Sequence, residues 1–148
     1  MPETDSGDSL QADLLLDSTL ASVDRGEAVV MNAAAGMGYD ADTQQDIGIA
    51  VRESLVNAVA HGNRYNARKK VRLRVWSGPR GLIVEIEDQG KGFNPEGVPD
   101  PLDGDNMMRH SGRGLLMIRA YMDELEYTPV NPEGTRVRMV KYPPKPGA

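Results

Sequence analysis

The chain has 148 residues, is 39% hydrophobic and 26% charged, and carries a net charge of −5. These values suit one globular domain with its own core and give no basic footprint for a nucleic-acid backbone, so no direct nucleic-acid partner is expected. Cysteine is absent, which excludes disulfides and thiolate metal sites, and two histidines are too few for a His-rich metal cage. No apolar run approaches the roughly 20 residues of a membrane span. The acidic start MPETDSGDSLQ is unlike a secretory signal, so a cytoplasmic protein with no membrane contact is expected.

In chain order, residues 1–9 are polar and acidic and read as a disordered tail. LQADLLLDS reads as a first strand, followed by a helix from Thr19 to Ala35 that stops at the glycines of GMG. Asp40 or Asp42 is placed to cap a second helix, which the pattern carries to His61, with Gly62 and Asn63 ending it. KVRLRVW and LIVEIED alternate apolar and polar residues about the turn SGPRG, which predicts a β-hairpin. Residues 94–110 form a long Pro-, Gly- and Asp-rich loop, a length that is usually functional or disordered in a compact domain. GLLMIRAYMDEL reads as a helix, LEYTPV and GTRVRMVKY as two closing strands, and PPKPGA as a tail. Without repeats or an internal linker, residues 10–142 are expected to form one domain of helices and a mainly antiparallel sheet.

The second helix carries an unusual stripe. Ile47, Val51, Leu55, Ala58 and Val59 form the face expected against a sheet, while Glu53, Asn57 and His61 recur every four residues beside it. Spacing alone suits two readings, a solvated helix edge or a site. For the second, an Asn amide oxygen can ligate Mg²⁺, which takes few protein ligands and keeps several waters. A carboxylate one turn earlier can accept a proton from an attacking hydroxyl.

Two glycine-containing stretches bear on that choice. Asp88-Gln-Gly90-Lys-Gly92-Phe93 follows a strand; Asp88 can accept from an exocyclic amine such as that of adenine, while the glycines permit a sharp turn and close backbone approach. Ser111-Gly112-Arg113-Gly114-Leu115 opens a helix, where bare N–H groups and the helix dipole suit a phosphate. Neither is the dinucleotide fingerprint G-x-G-x-x-G or a P-loop. Each alone also fits an ordinary turn or cap.

Taken in order, E-x-x-x-N-x-x-x-H on a helix, D-x-G-x-G after a strand, a long loop, G-x-G opening a helix, and Gly134-Thr135 entering a strand resemble the GHKL (histidine-kinase-like) ATPase superfamily. ESLVNAVAHG, DQGKGF, SGRGLLMIRAYMDELEY and GTRVRMVK are most similar to the bacterial anti-sigma-factor serine/threonine kinases of partner-switching systems, over Asp42 to Lys141. The resemblance implies an α+β two-layer sandwich, with a mixed, mainly antiparallel sheet covered on one face by helices. It implies ATP and Mg²⁺ as cofactors, Asn57 as the Mg²⁺ ligand and Glu53 as the general base toward a substrate serine. Asp88 would receive the adenine amine, with Thr135 supporting it, directly or through water. Gly90 and Gly92 would let the backbone pass under the nucleotide, and Gly112, Gly114 and the adjoining Leu115 would meet phosphate. Residues 94–110 would be the ATP lid, with Met107 and Met108 covering the nucleotide or packing the lid itself. His61, Arg113, Arg109 and His110 are further nucleotide-contact candidates, and Lys91 is expected to be exposed.

The implied partners are a sigma factor, sequestered by the protein, and an anti-anti-sigma antagonist phosphorylated on serine, with homodimerisation as a family tendency. Three other activities fit the motifs: a detached histidine-kinase catalytic domain, a hydrolase that uses water as acceptor, and a regulatory module that binds ATP and sequesters a partner without efficient catalysis. With no histidine before His61, a complete histidine kinase with an upstream acceptor is not expected from this chain, nor is a hydrolase with the usual transducer domain at this length.

Overall fold

The computed structural model of the protein describes residues 7–90 and 116–145. It contains β1 (Ser9–Asp17), α1 (Leu20–Met37), α2 (Ala41–Val56), β2 (Lys70–Gly78) and β3 (Gly81–Glu87). After these come helical residues 116–121, here α3, then β4 (Glu124–Pro129) and β5 (Thr135–Lys141). The strands form one sheet in the order β1-β2-β3-β5-β4. This is the expected α+β sandwich, but the sheet expected to be mixed and mainly antiparallel is antiparallel at every pairing among the described strands. β5 lies between β3 and β4 and is antiparallel to both, so β4 runs in the same direction as β3 without pairing with it.

Helices α1 and α2 cover one face. Val23, Val30, Ile47, Val51 and Leu55 are fully buried with Leu73, Val84 and Met139, in a cluster that also holds Ala58, Val59 and Ile86. This is the helix stripe expected from sequence, and burying each such aliphatic side chain is worth about 1.5–3 kcal/mol. The other face carries charged pairs, a small cluster of Trp76, Ile83 and Val140, and the exposed Leu10 and Leu15 of β1, which pair with Trp76 and Arg72. On it Glu85 lies between Arg74 (2.8 Å) and Arg138 (2.9 Å), Glu87 meets Arg136 (3.1 Å), and Asp13 takes two hydrogen bonds from Arg72. The register sets Arg74 opposite Glu85, Glu85 opposite Arg138 and Glu87 opposite Arg136, while Asp13 faces Arg74 and reaches Arg72 diagonally.

Several boundaries differ from expectation. Strand β1 begins at Ser9, inside the stretch read as a tail, because Ser9 and Leu10 pair with Ser77 and Trp76. Thr19 caps α1 through its side chain. The helix does not stop at Ala35 but runs on through Gly36 to Met37, and ends at Gly38, whose φ of +92° only glycine adopts readily. Asp40, rather than Asp42, caps α2, its carboxylate accepting from Thr43 N–H at 2.7 Å.

The second helix does not stay α-helical to His61. It is α-helical to Val56 and continues as a π-helical turn over Asn57–Gly62, closed by Asn63 N–H donating to Ala58 C=O five residues back, at 2.8 Å. Helix α3 stops at Tyr121, short of the expected Leu125. Asp123 N–H donates instead to Val140 C=O of the sheet, and Lys141 Nζ caps the Tyr121 carbonyl at 2.7 Å.

Candidate functional site

Three elements meet at one end of the sheet: the π-helical turn after α2, the chain leaving β3, and the turn from β4 into β5. Strand β3 ends at Glu87, so Asp88 is the first residue past the sheet. Its backbone stays tied to β5, Asp88 N–H donating to Thr135 C=O at 3.0 Å. Its Oδ1 accepts from Gly90 N–H (3.0 Å) and Thr135 N–H (3.3 Å). One carboxylate oxygen is thus fixed by two backbone donors. Thr135 is buried and meets Asp88 directly, through its backbone.

Close backbone approach holds this arrangement. A Cβ on Gly62 would lie 2.5 Å from Asp88 Oδ2, and one on Gly90 would strike the Gly62 carbonyl. Gly134, at φ +144°, passes against the Asp88 carbonyl with no room for a side chain. The end of the π-helical turn therefore abuts the Asp88 carboxylate. Burial pushes the Asp88 carboxyl above its ordinary value, Glu87 adds to the rise, and the two N–H donors and Lys69 oppose it.

Asn63 joins the pieces. Nearly fully buried, it accepts from Gln89 N–H at 2.8 Å and donates to Ser18 Oγ (2.9 Å) and Lys70 C=O (3.0 Å). The next residues, Arg64 and Tyr65, are both left-handed, at φ +51° and +59°. That conformation costs roughly 1–2 kcal/mol per residue and turns the chain sharply out of the helix toward β2. The sequence marks Gly62 and Asn63 only as a helix end; an Asn after Gly gives no sign of a buried, fully bonded amide.

Glu53, Asn57 and His61 are half-buried beside the core face. Glu53 sits on the last α-helical turn, Asn57 opens the π-helical turn, and His61 lies beside Gly62 at its end. The wider turn means the three do not form the regular α-helical stripe that their spacing suggests. Among the described residues no group of three or more His, Cys, Asp or Glu could hold a metal ion. A single amide oxygen at Asn57 fits a hard cation whose other ligands are water and phosphate. Gly92, Arg109, His110, Gly112, Arg113, Gly114 and Leu115 lie outside the described residues, as do Lys91 and the expected lid at 94–110 with Met107 and Met108.

Residues 16–141 match the family described as Histidine kinase-like ATPase domain. The chain belongs to that family. As a histidine kinase-like ATPase domain it is 30% identical over 116 residues to the Anti-sigma F factor of Thermoanaerobacter sp. (strain X514), covering 77% of this chain and 80% of that one. It is 30% identical over 115 residues to the Serine-protein kinase RsbW of Bacillus subtilis (strain 168), with 74% and 71% covered. The domain also superposes, at a TM-score of 0.64 and 20% identity, on the crystal structure of the RsbU and RsbW domains of Rv1364c from Mycobacterium tuberculosis. That likeness is one of fold; it covers 91% of this chain and 33% of the longer one. No helix among the described residues is long and apolar enough to cross a membrane.

Proposed function

We propose that the protein is an ATP-dependent serine protein kinase and anti-sigma factor. It sequesters a sigma factor and phosphorylates a serine of an anti-anti-sigma antagonist. The observation that carries this reading is the Asp88 carboxylate, fixed by Gly90 and Thr135 and abutting the end of the helix that bears Glu53 and Asn57. Relatives named Anti-sigma F factor and Serine-protein kinase RsbW support the protein-directed activity.

In this reading Asp88 Oδ2 accepts the adenine amine, and Asn57 offers its amide oxygen to Mg²⁺, which neutralises phosphate charge when bound. Glu53 accepts the proton of the substrate serine as its oxygen attacks the γ-phosphorus, and ADP leaves. Phosphoryl transfer asks a protein mainly for positioning and charge stabilisation, so a base, one metal ligand and backbone donors are a sufficient set. His61, Arg109, His110, Arg113, Leu115 and the glycines Gly92, Gly112 and Gly114 complete the proposed nucleotide contacts. The protein is proposed to work in the cytoplasm, with homodimerisation part of the same reading.

The test is incubation with labelled ATP, Mg²⁺ and a small antagonist protein encoded nearby. Label on an antagonist serine is the expected result. Release of free phosphate without transfer would make the protein a hydrolase, and tight nucleotide binding without turnover would make it a sequestering module.

A further inference from the structure

We propose that Asn63 is a positioning residue that sets adenine selectivity by holding Asp88 in place. The proposal rests on reading Asp88 as the adenine acceptor. Asp88 and Gln89 leave the sheet together, and a carboxylate just past a strand end needs a fixed backbone to point consistently. Thr135 supplies one side of that support. Asn63 supplies the other, through the 2.8 Å bond from Gln89 N–H.

The amide is suited to this task because both of its ends are anchored. Nδ2 donates to Ser18 Oγ at the β1–α1 junction and to Lys70 C=O at the start of β2, so Oδ1 presents a stationary acceptor to Gln89. The Gln89 side chain strengthens the link, its Oε1 accepting from Lys70 N–H at 2.6 Å. Asn63 also closes the π-helical turn through its own N–H, which sets Gly62 against Asp88 Oδ2. One residue thus fixes both the backbone beside Asp88 and the wall facing its ligand-binding oxygen. Asn63 reaches the ligand only through Asp88, so losing it should disturb recognition of the base amine more than of the phosphates.

The experiment compares binding of ATP and inosine triphosphate, which carries a carbonyl where adenine carries the amine, to wild type, Asn63→Ser and Asp88→Asn. Wild type is expected to prefer ATP. Asn63→Ser, whose hydroxyl is drawn back from Gln89, is expected to lose about tenfold of that preference, toward the value of Asp88→Asn. A purely structural role would weaken both nucleotides equally, so an unchanged ratio in folded Asn63→Ser overturns the proposal. Equal binding of both nucleotides by wild type would instead remove the adenine reading of Asp88. Hydrogen exchange on wild type gives a measurement that does not depend on the variant folding. The Gln89 amide should be protected like the β3 ladder, and exchange at the rate of an open loop overturns the proposal.

Discussion

Burial raises the folded-state pKa of Asp88 above the unfolded value of about 3.9, so the carboxylate that would recognise adenine is also a group that folding disfavours in its charged form. The favourable contribution of such a group is fully present below the unfolded pKa and lost as pH rises through the folded pKa. Asp88→Asn keeps an oxygen for Gly90 and Thr135 N–H and removes the charge. We expect this variant to be more stable than wild type at neutral pH, with the gap closing as the pH falls toward about 4, while adenine affinity drops. Denaturant titrations across pH, paired with calorimetry of ATP binding, check both parts; equal stability at every pH would show that burial does not penalise the carboxylate. Glu53 should behave differently. Glu53→Ala is expected to bind ATP as wild type does and to lose phosphotransfer by about 10²–10⁴-fold, and unchanged turnover would remove it from the mechanism.

Among the elements, the second helix is legible in its packing and silent about its hydrogen bonding. Ile47, Val51, Leu55, Ala58 and Val59 are all buried, as their periodicity indicates. Their burial continues through the α-to-π change, so the side-chain pattern carries no trace of the altered backbone. The hairpin of β2 and β3 is readable because alternation and a Gly-Pro turn agree. The stop at Tyr121 is not, because it depends on capture by Val140 and Lys141, far along the chain. Within the site, glycine spacing marks Asp88 and Gly90, and the Gly-Thr pair marks Thr135. Asn63 carries no such mark, since its partners come from three separate segments. Gly62→Ala tests the packing of helix end against strand end. Its Cβ would fall 2.5 Å from Asp88 Oδ2, so nucleotide affinity should fall even if the helix itself gains from the better helix former, by up to about 1 kcal/mol. Nucleotide affinity equal to wild type would show that the helix end does not wall the base site.

Across the whole molecule, two faces of one sheet do separate jobs. The helix-covered face supplies the core and carries the helix bearing Glu53 and Asn57, and the opposite face is held by charge pairing. Glu85 is buried between two arginines that are themselves only 15% and 16% exposed. Glu85→Gln would take away the anion those two cations share, and breaking a buried pair by removing one partner costs about 3 kcal/mol or more. A fall in the urea midpoint at unchanged slope is the expected sign, with nucleotide affinity retained because the site lies elsewhere.

The strand register has a practical consequence for following the protein at work. Ser9 pairs with Ser77, and Lys141 pairs with Leu82, so both lie beside the β2–β3 hairpin turn. Asp88, Asn63 and Thr135 gather at the other end, roughly 20 Å away along a strand that rises about 3.3 Å per residue. A fluorophore or affinity handle attached beside Ser9 or just past Lys141 would therefore report on the molecule from the end remote from Asp88, the proposed nucleotide site. Two such labels would stand three strand spacings apart, roughly 14 Å, near enough to serve as an internal reference while nucleotide is added and changes are sought at the opposite end.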